Sequence, residues 1–167
     1  MAKIGIGSDP VFVQVAIALG SNLGDRRANL EYAFDALSLD LSDLTRSSII
    51  ETLPEGVGDE HGPFLNAAVV GGTTLSARDL LARLLEIEEE RGRQRPYARA
   101  PRTLDIDLIL YGDAVIDEPG LSVPHQHFRE RAFVLEPLAE IAPEIRDPIT
   151  EKTIAQLSQD LQRPNRG

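Results

Sequence analysis

Cysteine is absent from the 167 residues, which excludes disulfides and thiolate metal sites and leaves no direct mark of redox compartment. Basic charge is in short supply as well. The chain has 17 Lys and Arg against 27 Asp and Glu, a formal net charge of −10, whereas a general nucleic-acid binder carries a spread basic surface. No apolar run approaches the roughly 18 residues that a bilayer span requires. The opening residues, Met1 to Val11, hold one Lys and no apolar h-region, so they do not read as a secretory signal. Internal repeats and low-complexity linkers are also missing. These absences leave an irregular leader over 1–12 and one domain over 13–167, long enough to bury a core. The default expectation is a cytoplasmic monomer without nucleic-acid or membrane partners.

What the sequence does have is concentrated between Arg99 and Leu110. From Thr103 to Leu108 the chain alternates strictly, with Leu104, Ile106 and Leu108 on one face and Thr103, Asp105 and Asp107 on the other. A period of two reads as a half-buried strand. Its two carboxylates then point the same way, one pleat apart, and a hard divalent cation such as Mg²⁺ relieves their repulsion. Just upstream, Arg91, Arg93, Arg95, Arg99 and Arg102 place five guanidinium groups in twelve residues, and their planar forks match phosphate oxygens. Together they suggest a polyphosphate site. The alternative on residue types alone is a solvated acidic strand face preceded by a solvated arginine loop.

The rest of the chain supplies a scaffold. Val13 to Leu19 is apolar enough for a central strand and runs into Gly20-Ser21-Asn22-Leu23-Gly24-Asp25, with a helix expected from about Asp25. Such a strand–turn–helix junction can aim N–H groups at an anion, or merely reverse the chain. A second strand is expected over Ser47–Thr52, then a Gly/Pro-rich mobile loop from Leu53 to Pro63. Phe64 to Gly71 reads as a third strand with Phe64, Asn66, Ala68 and Val70 on one face. Phe64 and Asn66 suit a flat hydrogen-bonding ligand, although a core ring and a strand-end amide is the better reading of spacing alone. Ser76 opens a helix capped with Asp79, whose stripe is Leu80, Leu81, Leu84, Leu85 and Ile87, with Gly92 ending it. Glu88 lies at the stripe's edge, within reach of the arginines or of a boundary salt bridge. After the Asp-x-Asp strand, Tyr111-Gly112-Asp113 turns into a short strand near Ala114–Ile116, forming a hairpin. A helical stretch follows around Phe128–Leu135. Pro137 is expected to break it, and Thr153 to Leu161 reads as a closing amphipathic helix.

Four segments in this order carry a family likeness: Ala18 to Gly24, Phe64 to Ala68, Pro101 to Asp107, and Val123-Pro124-His125 with Arg131-Ala132-Phe133 and Pro137 to Pro143 beyond it. The Pro-Arg-Thr-Leu-Asp-x-Asp block followed by Val-Pro-His is highly specific. Over about residues 13–150 the chain resembles 6-hydroxymethyl-7,8-dihydropterin pyrophosphokinases. The resemblance implies an α+β fold, a single-domain ferredoxin-like antiparallel sheet with helices packed on it. It also implies the reaction, in folate biosynthesis: diphosphate passes from ATP to the hydroxymethyl group of the dihydropterin, leaving AMP. By the same likeness Asp105 and Asp107 hold two Mg²⁺ ions, and with Arg93 and Arg102 form the catalytic set. Glu88, Arg95, Leu108, Ser122, His125 and Arg131 join Arg93 and Arg102 around ATP, with the arginines and His125 neutralising phosphate charge. Asn66 bonds the pterin, Phe64 and Phe133 stack on it, and Thr52 and Leu53 add backbone contacts.

The sequence departs from the commonest family pattern at Gly120, often arginine, at Gln126 and Arg99, often aromatic, and at Leu53, often proline. Its arginine loop is also one residue short. That loop, from Gly92 to Arg102, is expected to act as a lid closing over triphosphate. Two other classes share a ferredoxin-like sheet: a palm-like nucleotidyl transferase, which needs further acidic metal ligands and releases pyrophosphate, and a ligand-binding module without turnover.

Overall fold

The computed structural model describes residues 11–53, 63–92 and 103–163. Its sheet is built around β1 (Val13–Ser21), whose side chains are buried on both faces. Val15, Ile17 and Leu19 enter one core cluster, and Ala16 and Ala18 the other. A strand with no solvated face belongs in the middle of a sheet. There β1 pairs antiparallel with β4 (Phe64–Thr73) on one side and β5 (Asp105–Tyr111) on the other. Two short strands, β2 (Ser42–Arg46) and β3 (Ile50–Thr52), share the far edge of β4.

Two helices cover the first face. In α1 (Arg26–Asp40) the Asp25 carboxylate caps the first turn by accepting the Ala28 N–H at 3.0 Å. The helix buries Leu30, Ala33, Phe34 and Leu37 at helical spacing. In α2 (Ala77–Gly92), Ser76 Oγ accepts the Asp79 N–H at 3.1 Å, and Leu80, Leu84 and Ile87 face the sheet. The run β-α-β-β-α-β in this strand order is the ferredoxin-like arrangement the resemblance implied. The C-terminal chain then adds a layer on the opposite face. A 3₁₀ turn (Phe128–Glu130), α3 (Ala132–Ile141) and α4 (Ile154–Gln162) pack over Ala16, Ala18, Ala68 and Val70. Alanines at those positions let the layer lie close to the sheet. Among the described residues no helix is long and apolar enough to cross a membrane.

Four expectations need correction. The strand expected over Ser47–Thr52 is divided: β2 lies earlier, β3 starts at Ile50, and between them buried Ser47 bonds Ala68 with its N–H (2.9 Å) and its Oγ (2.8 Å). The short strand after Tyr111 does not fold back on β5; β6 (Ile116–Glu118) pairs with β7 (Leu121–Val123) instead. Leu85 is 50% exposed rather than buried. Pro137 lies inside α3, buried against the second core, so the helix loses one hydrogen bond and gains apolar burial there. The break falls earlier, at extended Arg131. The leader up to residue 10, the loop residues 54–62 and the arginine segment 93–102 lie outside the described residues.

Candidate active site

The sheet register gathers the chemistry. On β1, Gly20 pairs with Asn66 of β4 and with Asp105 of β5, and Ala18 pairs with Ala68 and Asp107. Directly paired residues present their side chains to the same face. One row across the sheet therefore reads Asn66–Gly20–Asp105 and the next Ala68–Ala18–Asp107. With strands about 4.8 Å apart, the Asn66 and Asp105 backbones stand about 10 Å apart, with only a glycine between them.

On the β4 side, Asn66 is 4% exposed and its Nδ2 donates to Thr52 Oγ1 at 2.6 Å. A Cβ on Gly20 would lie 3.1 Å from Asn66 Oδ1, so that oxygen leans over the glycine. Phe64 pairs with Thr52 and shares the face of Asn66. Phe133, 38% exposed, opens α3, which packs against β3 and β4 over this face. The Arg131 guanidinium stands 5.7 Å from its ring centroid. Leu53, at the end of β3, is largely exposed.

On the β5 side, Asp105 and Asp107 are half-buried and share a face, as their spacing predicted. A cleft of about 360 Å³ runs beside Asp107, and Asp105 is not among its lining residues. Asp107, Glu88, Leu108, Ser122 and His125, expected at the metal and nucleotide, all line it. Arg131 does not; it stands with Phe133. Glu88 reaches from α2 and accepts the Ile106 N–H at 2.6 Å, joining the helix to the strand between the two aspartates. Leu81 and Leu85, which looked like core, form an apolar wall of the cleft, and Gly120 and Gln126 also border it.

A β-bulge positions His125. The β5 register skips Ile109 between Ala16 and Ile17, and the Ile109 carbonyl accepts the His125 N–H at 2.9 Å. Bulges of this kind re-aim neighbouring groups at functional sites. His125 Nδ1 accepts the His127 N–H at 3.1 Å, so the neutral ring carries its proton on Nε2. Burial, then the charges of Arg131 and His127, hold the imidazole below its usual value of 6.5. At neutral pH the free protein therefore offers a hydrogen-bond donor here, where the resemblance implied a cation.

Asp105 and Asp107 offer hard carboxylate oxygens only. Among the described residues no group of three or more His, Cys, Asp or Glu is placed to hold a metal ion. A carboxylate pair suits Mg²⁺ when phosphates and water complete its shell, so the donor set fits that ion, whereas the palm-like alternative called for further acids. The anion reading of the Gly20–Asp25 junction does not hold. Gly20 and Ser21 belong to β1, and the N-terminus of α1 is capped by its own Asp25. Arg93, Arg95, Arg99 and Arg102, with the lid expected of them, fall outside the described residues. Sequence reading missed Gly20 as part of the site because its role appears only once β4 and β5 flank it.

A family model for 7,8-dihydro-6-hydroxymethylpterin-pyrophosphokinase matches residues 16–143. The chain is 41% identical over 140 residues to the 2-amino-4-hydroxy-6-hydroxymethyldihydropteridine pyrophosphokinase of Pseudomonas aeruginosa, covering 81% of this chain and 84% of that protein. It is 38% identical over 135 residues to a folate synthesis bifunctional protein of Chlamydia caviae, covering 77% of this chain but only 30% of that longer protein. Among solved structures, wild-type HPPK-DHPS of Plasmodium falciparum superimposes with a TM-score of 0.72 at 17% identity, over 92% of this chain and 45% of that one, a likeness of fold. With that model spanning residues 16–143 and relatives near 40% identical over most of the chain, the chain belongs to the 7,8-dihydro-6-hydroxymethylpterin-pyrophosphokinase family.

Proposed function

We propose that the two sides of the Gly20 row are the two substrate sites of an ATP-dependent diphosphate transfer to 6-hydroxymethyl-7,8-dihydropterin, a step of folate synthesis. The observation that carries this is the row itself, a buried amide and a half-buried carboxylate on one face with a bare glycine between. The pterin lies on the β4 side, bonded by Asn66 and flanked by Phe64 and Phe133, with Thr52 holding the amide in orientation. ATP lies in the β5 cleft, its base against Leu81 and Leu85 and its phosphates toward Asp107 and His125. The pterin hydroxymethyl oxygen attacks the β-phosphorus, the bond to the bridging α-phosphate oxygen breaks, AMP leaves, and the hydroxyl proton passes to solvent.

Asp105 and Asp107 would hold Mg²⁺, which supplies charge neutralisation for the triphosphate. The chain's own part is positioning and electrostatics, which is most of what phosphoryl-type transfer requires. Asn66 orients the acceptor, the apolar wall excludes water from the base, and His125 donates to a phosphate oxygen. Arg93, Arg95 and Arg102 add positive charge and Arg131 adds it from the pterin side, in line with the family pattern. Domain limits of 13–167 take in every element this requires.

Incubation with Mg²⁺-ATP and the hydroxymethyl-dihydropterin, followed by product analysis, tests the reading. AMP and the pterin diphosphate are expected in equal amounts. Pyrophosphate release indicates a nucleotidyl transferase, and binding without turnover indicates a non-catalytic module; either result rejects the proposal.

A further inference from the structure

Asn29 lies on α1, on the opposite face of the sheet from Asn66 and Asp105, and is 3% exposed. Its amide nevertheless joins three elements that build the site. Nδ2 donates to Thr103 O (3.1 Å), Leu23 O (2.9 Å) and Ser21 Oγ (3.0 Å). Oδ1 accepts from Arg91 Nε at 2.8 Å. Ser21 Oγ, itself buried, donates to the same Thr103 carbonyl at 2.5 Å. Arg91 is in the last turn of α2, the helix that also carries Glu88. Thr103 stands two residues before Asp105. These parts meet tightly, since a Cβ on Gly92 would lie 2.7 Å from Thr103 Cβ.

Burial alone does not require an amide here; leucine has the same branching and number of heavy atoms, and α1 already buries four apolar side chains, Leu30, Ala33, Phe34 and Leu37. What leucine lacks is the capacity to donate to Thr103 and accept from Arg91 together. A buried carbonyl without its donor, or a guanidinium without its acceptor, moves to find another partner. The strand start at Asp105 and the helix end near Glu88 would then shift relative to each other, and displacements near 1 Å in a transfer site reduce rate strongly.

We propose that Asn29 is a positioning residue for the diphosphate transfer, holding Thr103 and Arg91 so that Asp105 meets the metal–triphosphate at the right height. This rests on the reading of Asp105 as a metal ligand, so Asp105→Asn is run alongside. The test uses the full chain with Asn29→Leu, Asn29→Asp and Ser21→Ala, each assayed well below its own melting temperature. Asn29→Asp keeps an acceptor for Arg91 but cannot donate to Thr103. Both Asn29 variants are expected to lose at least tenfold in kcat, with KM for the pterin within about twofold because Asn66 and Phe133 are untouched. The Mg²⁺ concentration for half-maximal activity should rise severalfold. Calorimetric affinity for Mg²⁺ with α,β-methylene-ATP should fall, a readout independent of turnover. Ser21→Ala, which leaves the Asn29 donor in place, should show the same pattern at a few-fold and keeps the test decisive if an Asn29 variant does not fold. A lowered melting temperature with unchanged kcat and Mg²⁺ dependence overturns the inference and makes Asn29 a purely structural residue. If Asp105→Asn also retains activity, the reading of the site fails with it; if Asp105→Asn is crippled and the Asn29 and Ser21 variants are not, this inference alone fails.

Discussion

Between Asn66 and Asp105 the sheet offers only the backbone of Gly20. A methyl group there would lie 3.1 Å from Asn66 Oδ1, and the amide must yield by a few tenths of an ångström. Gly20→Ala should therefore keep the fold, since the residue is ordinary strand, yet raise KM for the pterin and lower kcat more than tenfold, with calorimetric nucleotide affinity preserved. Intact pterin kinetics would mean the pterin does not approach this glycine. Asn66→Ala removes the hydrogen-bonding amide from the pterin side and should weaken pterin binding by about 1–3 kcal/mol, read by calorimetry without nucleotide. Asp105→Asn and Asp107→Asn should each lower turnover about a thousandfold, the scale of a lost metal contact in the transition state. Near-normal rates in both at ordinary Mg²⁺ would overturn the proposal that they hold the metal.

Among the elements, the 3₁₀ turn at Phe128–Glu130 links the two proposed substrate sides, with His125 just before it and Phe133 just after. It is tied to the C-terminal segment by Arg129, whose Nε and Nη2 bond fully buried Asp147 at 2.5 and 2.9 Å. Burial opposes ionisation of Asp147, but the bonds from Arg129, Thr150 and the Ile149 N–H together hold its carboxyl below the usual 3.8. Asp147→Asn should reduce stability by about 3 kcal/mol, the order expected when one partner of a buried pair is removed, measured by urea denaturation. The pH dependence has a defined sign. A depressed His125 and a depressed Asp147 both bind fewer protons folded than unfolded, so both contribute stability at high pH that is lost on acidification. The loss begins below the ordinary histidine value of 6.5 for His125 and below 3.8 for Asp147. His125→Asn should flatten the first window of the melting-temperature profile and leave the second. Strand β1 was legible in the sequence as a continuous apolar run, and α1, α2 and the Asp-x-Asp strand by their period, because each of these three buries one apolar face. β2 was not, because Ser42–Arg46 lies at a sheet edge, half solvated and without alternation. Of the site, the carboxylate pair followed from a period of two, whereas Leu85 read as core because apolar spacing does not distinguish a cleft wall from an interior. The Asn66–Gly20–Asp105 row depends on the register of distant strands, which no local pattern encodes.

For the whole molecule, the sheet is covered twice, and the second cover extends beyond the family match, which ends at residue 143. Ile154 and Leu157 of α4 are buried in the second core, and Asp147 anchors the turn between the substrate sides. Removing residues 144–167 should forfeit about 1.5–3 kcal/mol for each of the two apolar side chains as well as the Asp147 bonds. That sum approaches the whole stability of an ordinary domain, about 5–15 kcal/mol. The truncated chain should melt far lower or lack a cooperative transition in calorimetry, and an unchanged transition would show the second layer to be dispensable. The central place of β1 also has a consequence in time. Its partner across Gly20 arrives about 85 residues later, and at about 5–20 residues per second a ribosome takes roughly 4–17 seconds to deliver it. During that interval a strand with two apolar faces waits with at least one edge open, so translation speed between β1 and β5 sets how long the nascent chain is exposed to wrong partners.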